Sequence, residues 1–229
     1  MEEKSIIKFK KEEFSIREYV RNSLGKGKVS RVKIEYTPVG EKIIISTNRP
    51  GLIIGRGGEK IDELTRVLKS KFNLENPHIE IDEIRNAEFD AQLMADEIAL
   101  SLERFGPLKF KVIAYKTLQR IMNAGALGTE IRLSGKLPSS RAKTWRFAQG
   151  YLKKTGDSAK VVDRAQAVAQ TRPGTVGVKV SILSPDADLK DKIDVNEQLL
   201  AKIAKNVEEI NNPTEKVVKK KRKVKVKEE

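Results

Sequence analysis

This 229-residue sequence predicts an α+β protein of two folded units followed by a basic tail. Three observations carry the prediction. A glycine-rich segment, Gly51 to Ile61, joins a short apolar helix to a long amphipathic one, with strand-like stretches on both sides. Two further helices then precede four stretches that alternate in the strand period. Finally, the chain runs out in lysines with no apolar periodicity.

In the first unit, residues 12–24 read as a helix, with Phe14, Tyr19 and Val20 among its apolar positions and Gly25 and Gly27 ending it. Residues 29–37 set Val32, Ile34 and Tyr36 against Arg31, Lys33 and Glu35, the pattern of a half-buried strand. Pro38-Val39-Gly40 turns into a second strand over residues 42–47, centred on Ile43-Ile44-Ile45. A short helix at 50–54, the glycine loop and a helix at 59–72 follow. In the last of these Ile61, Leu64, Leu68 and Phe72 recur at helical spacing. Asn76-Pro77 breaks the chain, and Ile79, Ile81 and Ile84 belong to a third strand.

The loop Gly55-Arg56-Gly57-Gly58 fits the G-x-x-G segment with which a KH domain clamps a nucleic-acid backbone. Without Cβ atoms, the main chain admits a phosphate at close range. The free N–H groups that open the next helix attract anions. Arg56 adds a two-pronged phosphate donor, and Lys60 a further charge. Other glycine motifs fit less well. A P-loop needs glycine where Arg56 stands, and a dinucleotide fingerprint needs glycine at position 60, which is Lys. A tight turn without a ligand is the bland alternative. Helix, two strands, a glycine loop between helices and a strand is the type II KH order, spanning about residues 12–86.

The second unit opens with a helix at 88–104 (Phe89, Leu93, Ile98, Leu102), ended by Gly106-Pro107. A helix at 108–124 follows, with Leu108, Val112, Leu118, Ile121 and Met122. Ile131 and Leu133, Trp145 and Phe147, residues 161–170, and Val176 to Ile182 then alternate as four strands. Two helices on an antiparallel four-stranded sheet make an α+β domain. The expected boundaries are 1–86, 87–185 and 186–229. In the last segment Val195, Leu199, Ile203, Val207 and Ile210 suit one amphipathic helix, and the chain from Pro213 has the composition of a disordered basic tail.

Charge narrows the function. The net charge is +14, and residues 104–160 hold 13 Lys/Arg against two acids, Glu130 and Asp157. Such a stretch calls for a polyanion, with RNA or DNA first. Cysteine is absent and His78, the one histidine, reads as a strand or surface residue, so no thiolate metal site or histidine triad is expected. The charged N-terminus lacks a signal-peptide pattern, and no run is long enough to span a membrane. Neighbouring carboxylates at Asp62-Glu63, Asp82-Glu83 and Asp96-Glu97 read as solvated surface. A non-enzymatic RNA binder without metal or cofactor is therefore expected.

Within the basic stretch Arg141, Lys143, Trp145 and Phe147 fall on one strand face and Arg146 on the other. Trp145 has a ring on which a base can stack, but the favoured reading puts Trp145 and Phe147 in the core, where large aromatics usually lie. Lys109, Lys111, Lys116, Arg120, Arg132, Lys136, Arg141, Lys143, Arg146, Lys153 and Lys154 are the candidate phosphate contacts of this unit, beside Gly55, Arg56, Gly57, Gly58 and Lys60 of the first.

Leu133-Ser134-Gly135-Lys136-Leu137, Arg141 to Phe147, Gly150 to Asp157 and Gly174 to Val180 resemble the second domain of the S-three family of small-subunit ribosomal proteins, in its archaeal and eukaryotic form. The loop Gly51 to Ile61 resembles its first domain. The resemblance implies a cytoplasmic protein in the ribosome. It would bind small-subunit rRNA in the head, touch neighbouring head proteins and line the channel through which mRNA enters. Bacterial members of this family use two adjacent basic residues and a third three positions later to unwind mRNA. The matching positions here are Lys111, Val112 and Tyr115, of which only Lys111 is basic, with Lys116 beside them. A free-standing KH regulator and a nuclease are the alternatives; neither a repeated KH unit nor a catalytic constellation is visible.

Overall fold

The computed structural model describes residues 2–38, 40–72, 74, 76–189, 200 and 203. Two hydrophobic cores lie within one compact unit, Met1–Asp188.

The first core is built by α1 (Glu2–Leu24), β1 (Arg31–Thr37), β2 (Gly40–Thr47), α2 (Pro50–Ile54), α3 (Glu59–Phe72) and β3 (His78–Glu83). Ile16, Val20 and Leu24 recur every fourth residue, so they form one stripe on α1, and all are buried. They meet Ile43 and Ile45 of β2, Ile53 of α2 and Leu64 and Leu68 of α3. β1 and β2 are antiparallel, whereas β2 and β3 are parallel. A parallel neighbour needs a crossover, and α2, the glycine loop and α3 supply it. The type II KH order is present. α1 begins ten residues earlier than its apolar pattern indicates. Ile6, Ile7 and Phe9 in that early part are exposed, so burial left no periodic signature there.

The second core lies between two helices, α4 (Ala91–Phe105) and α5 (Phe110–Asn123), and a four-stranded sheet. The strands are β4 (Gly128–Gly135), β5 (Lys143–Gly150), β6 (Asp163–Thr171) and β7 (Gly174–Leu183), ordered β5-β4-β7-β6 and antiparallel throughout. Ile131, Leu133, Phe147, Ala165, Ala167, Ala169, Val176, Val178, Val180 and Ile182 are buried in this core. The alanines of β6 are small because α4 packs closely above them. Each helix starts two or three residues later than its sequence pattern, because short 3-10 turns at Ala87–Phe89 and Pro107–Lys109 precede it. Asp90 caps α4, accepting from the N–H groups of Gln92 and Leu93.

A row of polar contacts ties the α1–β1 connection to the second core. Lys26 donates to Glu103 (3.1 Å) and to the Val168 carbonyl (2.9 Å). The N–H of Gly27 donates to Asp96 (3.0 Å) and Arg31 pairs with Asp163 (2.6 Å). Ser30 donates to Asp90. Asp96 thus departs from its reading as solvated surface: it is buried, also accepts from Gln92, and burial raises its pKa. Most of the expected helix over 195–210, and the lysine tail, lie outside the described residues. Leu200 and Ile203 are helical and exposed.

Candidate nucleic-acid interface

One face of the second sheet is covered by α4 and α5; among the described residues no element covers the other. Strand register decides which side chains share the open face. Arg146 of β5 lies opposite Arg132 of β4, which lies opposite Lys179 of β7, which lies opposite Gln166 of β6. The next row runs Ala148, Glu130, Ser181, Arg164. Arg132, Arg146, Arg164, Gln166 and Lys179 are all exposed. Three cations directly opposite one another repel and would weaken the sheet on their own.

Glu130 offsets that repulsion. It is the one acid at the open-face positions of the four strands, and its side chain is only 4% exposed. Arg132 donates to it through Nε, Arg146 approaches through Nε at 3.1 Å, and Lys154 through Nζ at 2.7 Å. Burial alone would raise the carboxyl pKa, but hydrogen bonds from Lys154, Arg132 and Arg146 outweigh it and lower it from 4.5 to about 2. An acid depressed in this way stabilises the fold above pH 4.5 and loses that contribution as pH falls towards 2. The melting temperature should therefore drop more steeply between those pH values in the native chain than in a Glu130→Gln variant. Equal slopes would mean that the carboxylate is not held by its cations in solution.

A groove of about 320 Å³ runs along this face, lined by Glu130, Arg132, Lys153, Lys154, Arg164 and Lys179 among others. The connection between β4 and β5 adds exposed Lys136 and Arg141 at the sheet rim, with Lys143 at the first position of β5. Buried Leu137 pins that connection, and its carbonyl accepts from the Trp145 indole at 3.4 Å.

α5 and the 3-10 turn that precedes it display a second basic group. Lys109, Lys111 and Lys116 are exposed. The Lys111 ammonium sits 5.0 Å from the Trp145 ring centre and the Lys109 ammonium 5.9 Å from that of Phe105. Leu108, Val112 and Tyr115 are exposed beside them. Trp145 is half-buried against the core, with Phe110 beneath it, and Phe147 is buried. Arg120 is drawn into the protein's own ion pairs, donating to Glu97 at 2.7 Å with Glu88 nearby.

The glycine loop belongs to the first core, between α2 and α3. Gly55, Gly57 and Gly58 all have positive φ. A Cβ at Gly57 or Gly58 would meet nothing within 4 Å, so the main chain there is open to a ligand. Arg56 is exposed, and Lys60 reaches back to the Leu52 carbonyl at 3.4 Å. The helix that follows opens with Glu59 and carries Asp62 in its first turn, so its N-terminus is not purely cationic.

Comparison with known proteins decides the family. Residues 15–89 match the model described as "KH domain", and residues 98–182 that of "Ribosomal protein S3, C-terminal domain". The small ribosomal subunit protein uS3 of Methanocaldococcus jannaschii is 41% identical over 86% of this chain and 94% of its own length. That of Methanosphaera stadtmanae is 37% identical over 86% and 78%. That of Methanothermobacter thermautotrophicus is 40% identical over 77% and 68%. The chain belongs to the uS3 family.

Within this uS3 chain, Lys179, Arg164 and the organising role of Glu130 go beyond the residues that the sequence singles out. Lys179 and Arg164 lie outside the strongly basic stretch, and only strand register brings them beside Arg132. Their positions, polar members of alternating strands, are the signal that points to them.

Proposed function

We propose that this chain holds small-subunit rRNA in the head of the small ribosomal subunit, beside neighbouring head proteins, and borders the channel through which mRNA enters. The row Arg146–Arg132–Lys179, backed by Lys154 and balanced by Glu130, carries the reading. A plane of fixed cations suits the phosphates of one folded RNA, because phosphate contacts position without reading sequence. The relatives' name, small ribosomal subunit protein, agrees with it. The α5 group, with Lys109, Lys111 and Lys116 beside Leu108 and Tyr115, offers charge and apolar surface together, as a passing single strand requires.

Sedimentation of the tagged chain from a native lysate through sucrose, with and without RNase, tests this. Co-migration with small subunits that survives a high-salt wash is expected. A signal at the top of the gradient, or in light RNase-sensitive complexes, would favour a free RNA-binding regulator.

A further inference from the structure

We propose that Glu130 is a positioning residue for RNA. By holding Arg132, Arg146 and Lys154 on one carboxylate, it fixes their outer edges as a preformed seat for backbone phosphate. The inference rests on the rRNA-binding reading above and deepens it.

The geometry is specific. Arg132 and Arg146 both reach Glu130 through Nε, so the Nη edge of each guanidinium is not the edge spent on the carboxylate. That edge, Nη1 with Nη2, is one of the two by which a guanidinium binds phosphate in two-pronged fashion. Arg132, Arg146 and Lys154 have 49%, 55% and 43% of their side-chain surface exposed, while Glu130 has 4%. The acid is therefore shielded from an incoming phosphate and the cations are not. Long basic side chains lose rotamer freedom when they bind, and Glu130 has already removed part of that freedom. Glu130 and Arg132 sit on β4, which is paired with β5 on one side and β7 on the other, so the carboxylate that gathers the cations stands on a backbone held from both sides.

Positioning and simple electrostatics predict opposite results for one variant. Glu130→Gln raises the net charge from +14 to +15 and takes an anion off an RNA-binding face. Non-specific attraction alone would tighten binding. Loss of positioning instead weakens it, roughly tenfold in Kd, with the slope of log K against log salt unchanged because the count of cations is unchanged. The measurement is titration of full-length chain with purified small-subunit rRNA at two salt concentrations, well below the melting temperature. Equal or tighter binding by Glu130→Gln overturns the proposal. The double variant Arg132→Lys/Arg146→Lys decides the matter if Glu130→Gln does not fold. It keeps every charge and the carboxylate but loses both forks, so the same weakening with the same slope is expected, and native affinity would overturn the proposal. Failure of the native chain itself to bind this rRNA would count against the rRNA reading, which separates the two outcomes.

Discussion

Replacing Phe110 with alanine is expected to cost about 3–5 kcal/mol of stability, a large part of the roughly 5–15 kcal/mol that holds a typical domain together. Phe110 opens α5 and is 2% exposed. Its ring lies 5.3 Å from Trp145 and 6.3 Å from Phe147, tilted or edge-on to both, so it is the wedge between α5 and β5. β5 is an edge strand, paired only with β4 among the described residues, and has no strand on its far side to compensate. Alanine would leave a cavity under Trp145 that α5 cannot fill without moving Ala114 and Leu118 from the core. Trp145 is the one tryptophan, so its fluorescence reports on this packing during denaturant unfolding. The companion variant Val112→Ala sits on the same helix at 67% exposure and should cost less than about 0.5 kcal/mol. A Phe110→Ala loss below about 1 kcal/mol would show that the aromatic group is not what fastens α5 to the sheet.

Much of this architecture is legible in the sequence because burial imposes a period. Val176, Val178, Val180 and Ile182 alternate cleanly and lie on the covered face of β7. Trp145 and Phe147 fall on that side of β5 and Arg146 on the other, as alternation requires. What is illegible depends on partners far away in sequence. Asp96 is an unremarkable acid on a helix until Gly27, 69 residues earlier, donates its N–H to it. Glu130 looks like a leftover acid in a basic stretch until β4 and β5 pair and bring Arg146 to it. Averaging charge along the chain hides Lys179 and Arg164 for the same reason: the open face is assembled across four strands, not along one segment. Arg120 errs in the opposite direction. Its position on a basic helix suggests an outward charge, whereas Glu97 and Glu88 hold it.

The double variant Arg56→Asp/Gly57→Asp is expected to weaken RNA binding about tenfold or more and to lower the slope of log K against log salt by roughly 0.7–0.9 for each phosphate no longer neutralised. The case depends on the loop keeping its shape. Gly57 has φ 61 and ψ 16, the left-handed region that aspartate tolerates better than most residues. Beyond its chain neighbours, no atom of the described residues lies within 4 Å of a Cβ built there, so the added side chain meets no packed neighbour. Arg56 is exposed, and Ile53 anchors the preceding helix from the other side. The substitution therefore changes charge, from +14 to +11 for the whole chain, at the modest backbone cost of placing aspartate in the left-handed region. Gly55→Asp is the contrasting variant. Gly55 has φ 76 and ψ −169, a conformation that essentially only glycine adopts, and a Cβ there would press on the Lys60 side chain at 3.0 Å. It should lower the melting temperature markedly as well as the affinity, whereas Arg56→Asp/Gly57→Asp should lower the affinity with a much smaller drop in melting temperature. Unchanged affinity and slope in the double variant would place the RNA on the open sheet and α5 and leave the glycine loop to a protein neighbour or to solvent. The loop's open backbone would then be a property of the KH fold that this chain does not use on RNA.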